Sequence, residues 1–188
     1  HIKRVIILSP SHTVFYKGIA LPDYTEYHTA LGTISVDTEA IRLLKKSYLC
    51  KEFVDAHKTE HAIEMQLPLL QRTIANFKIV PLIVGHLSLP EDPLEAVLSL
   101  SKIIDDQTLV VVSSDFVHYG TQFEYTPFDT NILANIRLVD SFAVHALGQL
   151  SMVRFNEALQ QTSATICGQE PLRVLLALLG AGVLGHVD

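Results

Sequence analysis

Cysteine is scarce in this sequence. The two that occur, Cys50 and Cys167, form no C-x-x-C pair, which excludes a disulfide framework and the common zinc-finger spacings and fits a reducing compartment. Basic residues are also few. The 14 Lys and Arg are scattered, with Lys45 and Lys46 as the only short cluster, against a net charge of −6. No nucleic-acid partner is expected of such a surface. Long apolar runs are absent as well: none approaches the ~20 residues that cross a membrane, and no charged start with an apolar core marks a secretory leader. The expectation is a soluble, cytoplasmic chain with no membrane partner. Internal repeats, low-complexity segments and a heptad seam are all missing, so the oligomeric state stays open.

What the sequence does have is apolar bulk. With 48% hydrophobic and 18% charged residues, residues 1–188 suit one well-buried domain. The first residue is His1 rather than Met and a strand candidate begins at Arg4, so an upstream segment is expected to be missing. At the other end, GVLGHVD (182–188) begins a strand-like run and stops, which suggests a final strand cut short.

Apolar strand candidates at Arg4 to Leu8, Lys78 to Val84 and Thr108 to Val112 alternate with segments of helical period, the pattern of an α/β fold. The run Leu109 to Val112 has no polar alternation and reads as buried on both faces, in the middle of a parallel sheet. Asp37 can cap a helix that places Ile41, Leu44 and Tyr48 on one face. A second helical face holds Ile63, Leu67, Leu70 and Ile74, with Pro68 either in its first turn or at a kink. Asp92, Pro93 and Glu95 form a cap, a first-turn proline and a capping-box acid for a helix to about Ile104. Helices follow Asp129 and Ser151. The last runs from about Pro171 to Leu179, is apolar nearly all round and therefore buried, and ends on Gly180 as C-cap.

Nine histidines are present, and the placement of three matters. Strand RVIIL leads into Ser9, Pro10, Ser11 and His12. Strand KIVPLIV leads into Gly85 and His86, and LVVV leads into Ser113, Ser114, Asp115 and His118. Any one of them reads most simply as a hydrogen-bonded loop histidine, but in parallel strands all three rise from the edge where α/β folds bind ligands. Asp115, three residues before His118, is a candidate orienter of the imidazole for proton transfer or metal binding. It can equally cap the turn. Ser113 and Ser114 lack the G-x-S-x-G setting and read as loop scaffolding. Cys167 precedes a helix whose dipole would lower the thiol pKa and favour the thiolate; the alternative is a small buried hydrophobe. Cys50 is expected to be structural. Glu60, His61 and Glu64 do not make H-E-x-x-H, which excludes that metalloprotease pattern. His61 and Glu64 lie one helical turn apart and could support a site. His86 is expected at the rim, without a functional partner. His1, His28, His57, His145 and His186 read as surface residues.

In order along the chain, SPSH (9–12), TEHAIEMQLP (59–68), SSDFVHYG (113–120) and TICG (165–168) resemble the MEMO family, also called AmmeMemoRadiSam system protein B, from about Arg4 to Leu179. The resemblance implies a single α/β domain with a mainly parallel or mixed central sheet flanked by helices. That fold is similar to the class III extradiol ring-cleaving dioxygenases, whose catalytic subunits hold non-haem iron. It also implies His12 and Cys167 as metal ligands and His118, with Asp115 beside it, as the acid/base. The family's further histidine ligand lies in a His-Ala-Gly-Tyr motif absent here, so the third ligand is expected upstream of residue 1.

The leading expectation is a metal-dependent redox enzyme of dioxygenase type, with iron or copper on His12 and Cys167. Zinc is also compatible, because a soft thiolate favours copper(I) or zinc more than the iron(II) facial triad does. The alternatives are a non-catalytic protein that holds a peptide or metabolite in the same pocket, or a metal-binding or chaperone role. The ligand is a small molecule or a peptide in each case.

Overall fold

The computed structural model of the chain describes residues 1–185. Strand β1 (Arg4–Pro10) is followed by the short β2 (Ile19–Leu21) and a hairpin of β3 (Glu26–Thr29) and β4 (Gly32–Ser35). Then come α1 (Thr38–Leu44), β5 (Cys50–Glu52), α2 (Val54–Lys58), α3 (Ala62–Thr73) and β6 (Lys78–Val84). The order closes with α4 (Asp92–Leu100), β7 (Thr108–Val112), α5 (Ile132–Gly148), α6 (Met152–Thr162) and α7 (Gln169–Gly180). The five-stranded sheet has the order β5-β2-β6-β1-β7. β1 runs parallel to both β6 and β7, whereas β2 is antiparallel to β6. The expected α/β architecture with a mixed, mainly parallel sheet is therefore present.

Why these strands form is plain at the centre. Val5 to Leu8 and Ile79 to Val84 are apolar on both faces and almost completely buried. The three long strands also share a register: Arg4 stands opposite Lys78 and Thr108, and Leu8 opposite Leu82 and Val112. Their carboxyl ends therefore lie along one edge, and His12, His86 and His118 all follow that edge. At the opposite edge Arg4 pairs with Asp37 at 2.8 Å, and Asp37 also caps α1 by accepting from the Ala40 amide.

Several local expectations need correction. β7 is an edge strand, half-exposed along its whole length, not the middle of the sheet. α1 stops at Leu44, before Tyr48, which is exposed and donates its hydroxyl to Asp92 instead. α3 contains Pro68 in its interior, six residues after its start, rather than beginning there. Proline has no N–H, so the Glu64 carbonyl forgoes its helical partner. In α4, Glu91 occupies the cap position and Asp92 is the first helical residue; the Asp92 carboxylate still accepts from the Leu89 amide, and the helix ends at Leu100. Glu95 does not reach back to close a capping box, and its carboxylate instead accepts from Ser47 and Ser99. α6 follows Ser151 as expected, and Ser151 caps it by accepting from the Arg154 amide. α7 includes Gly180 and caps on Ala181. The suggested final strand begins as a turn, and its last three residues lie outside the described chain, His186 among them.

Two clusters make the core. The larger covers the sheet and includes Val174 and Leu178 of α7. The smaller joins α5, α6 and α7 through Ala143, Phe155, Leu159 and Leu176. α7 thus carries apolar residues to both clusters, and the segment just before it is fixed against the carboxyl edge of the sheet.

Candidate functional site

His12 leaves β1 and meets a buried carboxylate. Glu60, in the turn before α3, accepts from the His12 backbone amide at 2.7 Å, from the Ala62 amide at 3.0 Å, and contacts His12 Nδ1 at 2.9 Å. Burial pushes the Glu60 carboxyl up, but the His12 amide, the His12 ring and the Ala62 amide outweigh it and hold the group below its ordinary range. An ionised Glu60 requires the proton on Nδ1, which leaves the His12 Nε2 lone pair outward. His61 stacks at a tilt on this ring, 4.9 Å between centroids, and its own Nδ1 stands 3.4 Å from Glu60. Glu64 is exposed on α3 and lines neither of the cavities described below.

The SSDFVHYG and TICG segments are bolted together. The Asp115 amide donates to Cys167 Sγ at 3.1 Å, and the Gly168 amide donates to Ser114 Oγ at 3.1 Å. Thr165 Oγ1 accepts from the His118 amide at 2.9 Å and donates to the His118 carbonyl at 2.7 Å. A Cβ on Gly168 would lie 2.4 Å from Ser114 Cβ, so the glycine is required by close approach. Ser113 in turn accepts from Gln66 of α3 and donates to the Ala62 carbonyl, which ties the third motif to the second.

The orienter of His118 is the Thr165 carbonyl, 2.7 Å from Nδ1. Asp115, the carboxylate expected in that role, stands 3.8 Å from Nε2 with its side chain 85% exposed. The thiol of Cys167 also departs from expectation. Burial raises its pKa, the Asp115 carboxylate adds to the rise, and the Asp115 amide offsets only part of it. The residue lies two positions ahead of α7, and its desolvation outweighs the favourable end of that helix.

Two adjoining cavities share His12 and Cys167 on their walls. One, of about 400 Å³, adds Phe15, Tyr16, His86 and Glu170; the other, of about 310 Å³, adds His61, Gln66, Ser113 and Asp115. Among the described residues, two sets of donor atoms lie within 4.8 Å of one another: His12 with Glu60 and His61, and Asp115 with His118 and Cys167. Neither set holds both His12 and Cys167. Glu60 is poorly placed as a ligand because its oxygens already accept three N–H groups, which makes it a support for His12. His12 Nε2 and Cys167 Sγ are the nitrogen and sulfur donors that suit a transition metal.

With that geometry in place, comparison with known proteins is decisive for kinship. The profile of the family described as Memo-like protein matches residues 1–183. The chain belongs to the Memo-like family. It is similar to the Protein memo-1 homolog of Caenorhabditis elegans, 33% identical over 184 residues, which cover 93% of this chain and 52% of that protein. Protein MEMO1 of Xenopus tropicalis is 34% identical over 182 residues, 93% of this chain and 61% of that protein. Protein MEMO1 of Homo sapiens is 32% identical with the same coverage. The chain spans about half to three-fifths of the length of these curated relatives.

Three residues at this Memo-like edge escaped the reading of the sequence as partners. Glu60 was visible only as part of a string, Thr165 acts through a carbonyl that no residue type announces, and Glu170 reaches His86 across 84 positions. His57, expected at the surface, is buried: its ring bonds to the Tyr24 hydroxyl and the Ala20 carbonyl, both at 3.1 Å.

Proposed function

We propose that this part of a Memo-like protein carries two ligands of a transition-metal site, His12 through Nε2 and Cys167 through Sγ, with the third ligand supplied upstream of residue 1. The observation that carries the reading is the buried Glu60 behind His12, since a carboxylate on the far ring nitrogen fixes the tautomer and raises the basicity of the nitrogen facing the cavity. Iron or copper is the metal proposed, with zinc compatible with the thiolate.

A bound redox metal would supply electron transfer to a ligand or to oxygen. This chain's own residues hold and orient. Glu60 sets His12, the Asp115 amide sets Cys167 Sγ, and Thr165 sets His118. His118 lines neither cavity but groups with Asp115 and Cys167, which do; with Nδ1–H donated to the Thr165 carbonyl, its Nε2 would take or return a proton beside them. The reaction class is a dioxygenase-type oxidation of a small molecule. A second reading is favoured by the thiolate, which departs from the iron(II) facial triad: a pocket that holds a metal and a peptide or metabolite without turnover.

Metal analysis of the full-length protein purified without oxygen tests the reading. One redox-active metal per chain, with oxygen consumption on adding substrate candidates, supports the enzyme. One metal without oxygen consumption supports the binding protein, and a chain that takes up no metal contradicts both.

A further inference from the structure

The larger cavity, which His12 lines, also carries a second imidazole backed by a carboxylate. His86 Nδ1 lies 3.2 Å from Glu170 Oε1, and the two residues come from the end of β6 and the first turn of α7. The backbone holds His86 in place: its amide donates to the Tyr16 carbonyl at 2.9 Å and its carbonyl accepts from the Gly18 amide at 3.2 Å. Gly85 just before it has no room for a side chain, since a Cβ would sit 2.5 Å from the Tyr16 carbonyl oxygen.

Among the residues lining the cavity Glu170 alone carries a formal charge, and no Lys or Arg is present. Arg173, outside the lining, contacts the same Oε1 at 3.1 Å. Glu170 Oε2 is buried and accepts no hydrogen bond among the described residues. The carboxylate is held on Oε1 between the His86 ring and the Arg173 guanidinium, which fixes it behind His86. With Nδ1–H committed to Glu170, His86 Nε2 is an acceptor, and it has no protein partner among the described residues. Phe15, 81% exposed, lies beside the His86 ring, tilted by 29° with 6.2 Å between centroids, and offers a flat apolar face next to that acceptor.

We propose that His86, held by Glu170, decides which ligand the larger cavity accepts: one that presents an O–H or N–H donor, and no negative charge, to this wall. The inference rests on the cavity being the ligand site of the proposed function, and it assigns the chemistry of the part of the ligand that meets His86. An ammonium or hydroxyl beside a flat ring fits. A carboxylate or phosphate at the same position would bring only acceptors to the His86 Nε2 lone pair, with no Lys or Arg among the residues lining the cavity.

The test uses benzylamine, benzyl alcohol and benzoate as probes on chelator-treated protein, followed by the ring ¹⁵N resonances of His86. The first two should shift the Nε2 resonance saturably, and benzoate should not. His86→Ala should weaken benzylamine binding by about three- to tenfold, the factor for one hydrogen bond. Glu170→Gln keeps an acceptor for Nδ1–H and should retain the tautomer, whereas Glu170→Ala should lose it while a thermal melt confirms folding. Benzoate binding as tightly as benzylamine would overturn the inference, as would no response to either donor probe, an Nε2–H tautomer in the free protein, or unchanged binding in His86→Ala. Because the metal is removed first, failure of the metal reading appears separately, in the metal content of the untreated protein.

Discussion

His12 and Glu60, 48 positions apart, are joined twice: the backbone amide of His12 donates to Oε2 at 2.7 Å and its ring Nδ1 meets Oε1 at 2.9 Å. Glu60→Ala would leave both groups and the Ala62 amide without their acceptor. We expect unfolding free energy to fall by about 1–3 kcal/mol and metal affinity to fall by about 10- to 100-fold. Denaturant titration and competition with a metal chelator measure the two effects separately.

His118 depends on Thr165 more than on Asp115. Thr165→Val removes the hydroxyl that accepts from the His118 amide and donates to its carbonyl, and should cost about 1–3 kcal/mol. Asp115→Asn changes an exposed group 3.8 Å from the ring and should cost under about 0.5 kcal/mol. Chemical denaturation of both variants checks the order.

Gly168 is the point where two motifs touch. Gly168→Ala places a Cβ 2.4 Å from Ser114 Cβ and Oγ, which should destabilise the protein by about 1–3 kcal/mol through overpacking. Ser114→Gly in the same chain should recover part of that loss, since the clashing atoms are then gone. Melting temperatures of the two single variants and the double variant report the coupling.

His57 sets a dependence on acidity. Burial is the largest influence and holds the His57 pKa below its ordinary value, so the neutral ring is the form the fold keeps between Tyr24 and Ala20. The unfolded chain then binds more protons than the native one, and stability rises with pH. The contribution is complete above the unfolded value of about 6.5 and is lost as pH falls from there toward the lower folded value. His57→Gln should flatten the slope of unfolding free energy with pH in that interval; an unchanged slope assigns it to other groups.

How much of this was legible in the sequence follows from what each signal measures. Apolar runs located β1, β6 and β7 because burial of their side chains is a property of composition. They could not rank the strands: Leu109 to Val112 are as apolar as a central strand, yet β7 has a neighbour on one side only, and composition does not report ladder pairing. The alignment of His12, His86 and His118 on one edge was readable because parallel strands share their direction. Their carboxylate or carbonyl supports were not, because Glu60, Thr165 and Glu170 come from distant segments and act through contacts that only the tertiary fold creates. The expected low pKa of Cys167 considered the helix that follows it and left out its burial.

Metal stoichiometry of the full-length protein across His12→Ala, Cys167→Ser and His118→Ala tests the central claim most directly, since Cys167 groups with Asp115 and His118 but shares its cavities with His12. The account predicts that the first two variants lose the metal while His118→Ala keeps one metal per chain, lowering any turnover by about 10²- to 10⁴-fold. If His118→Ala loses the metal and His12→Ala keeps it, the centre is the Asp115, His118 and Cys167 group, and the account is contradicted.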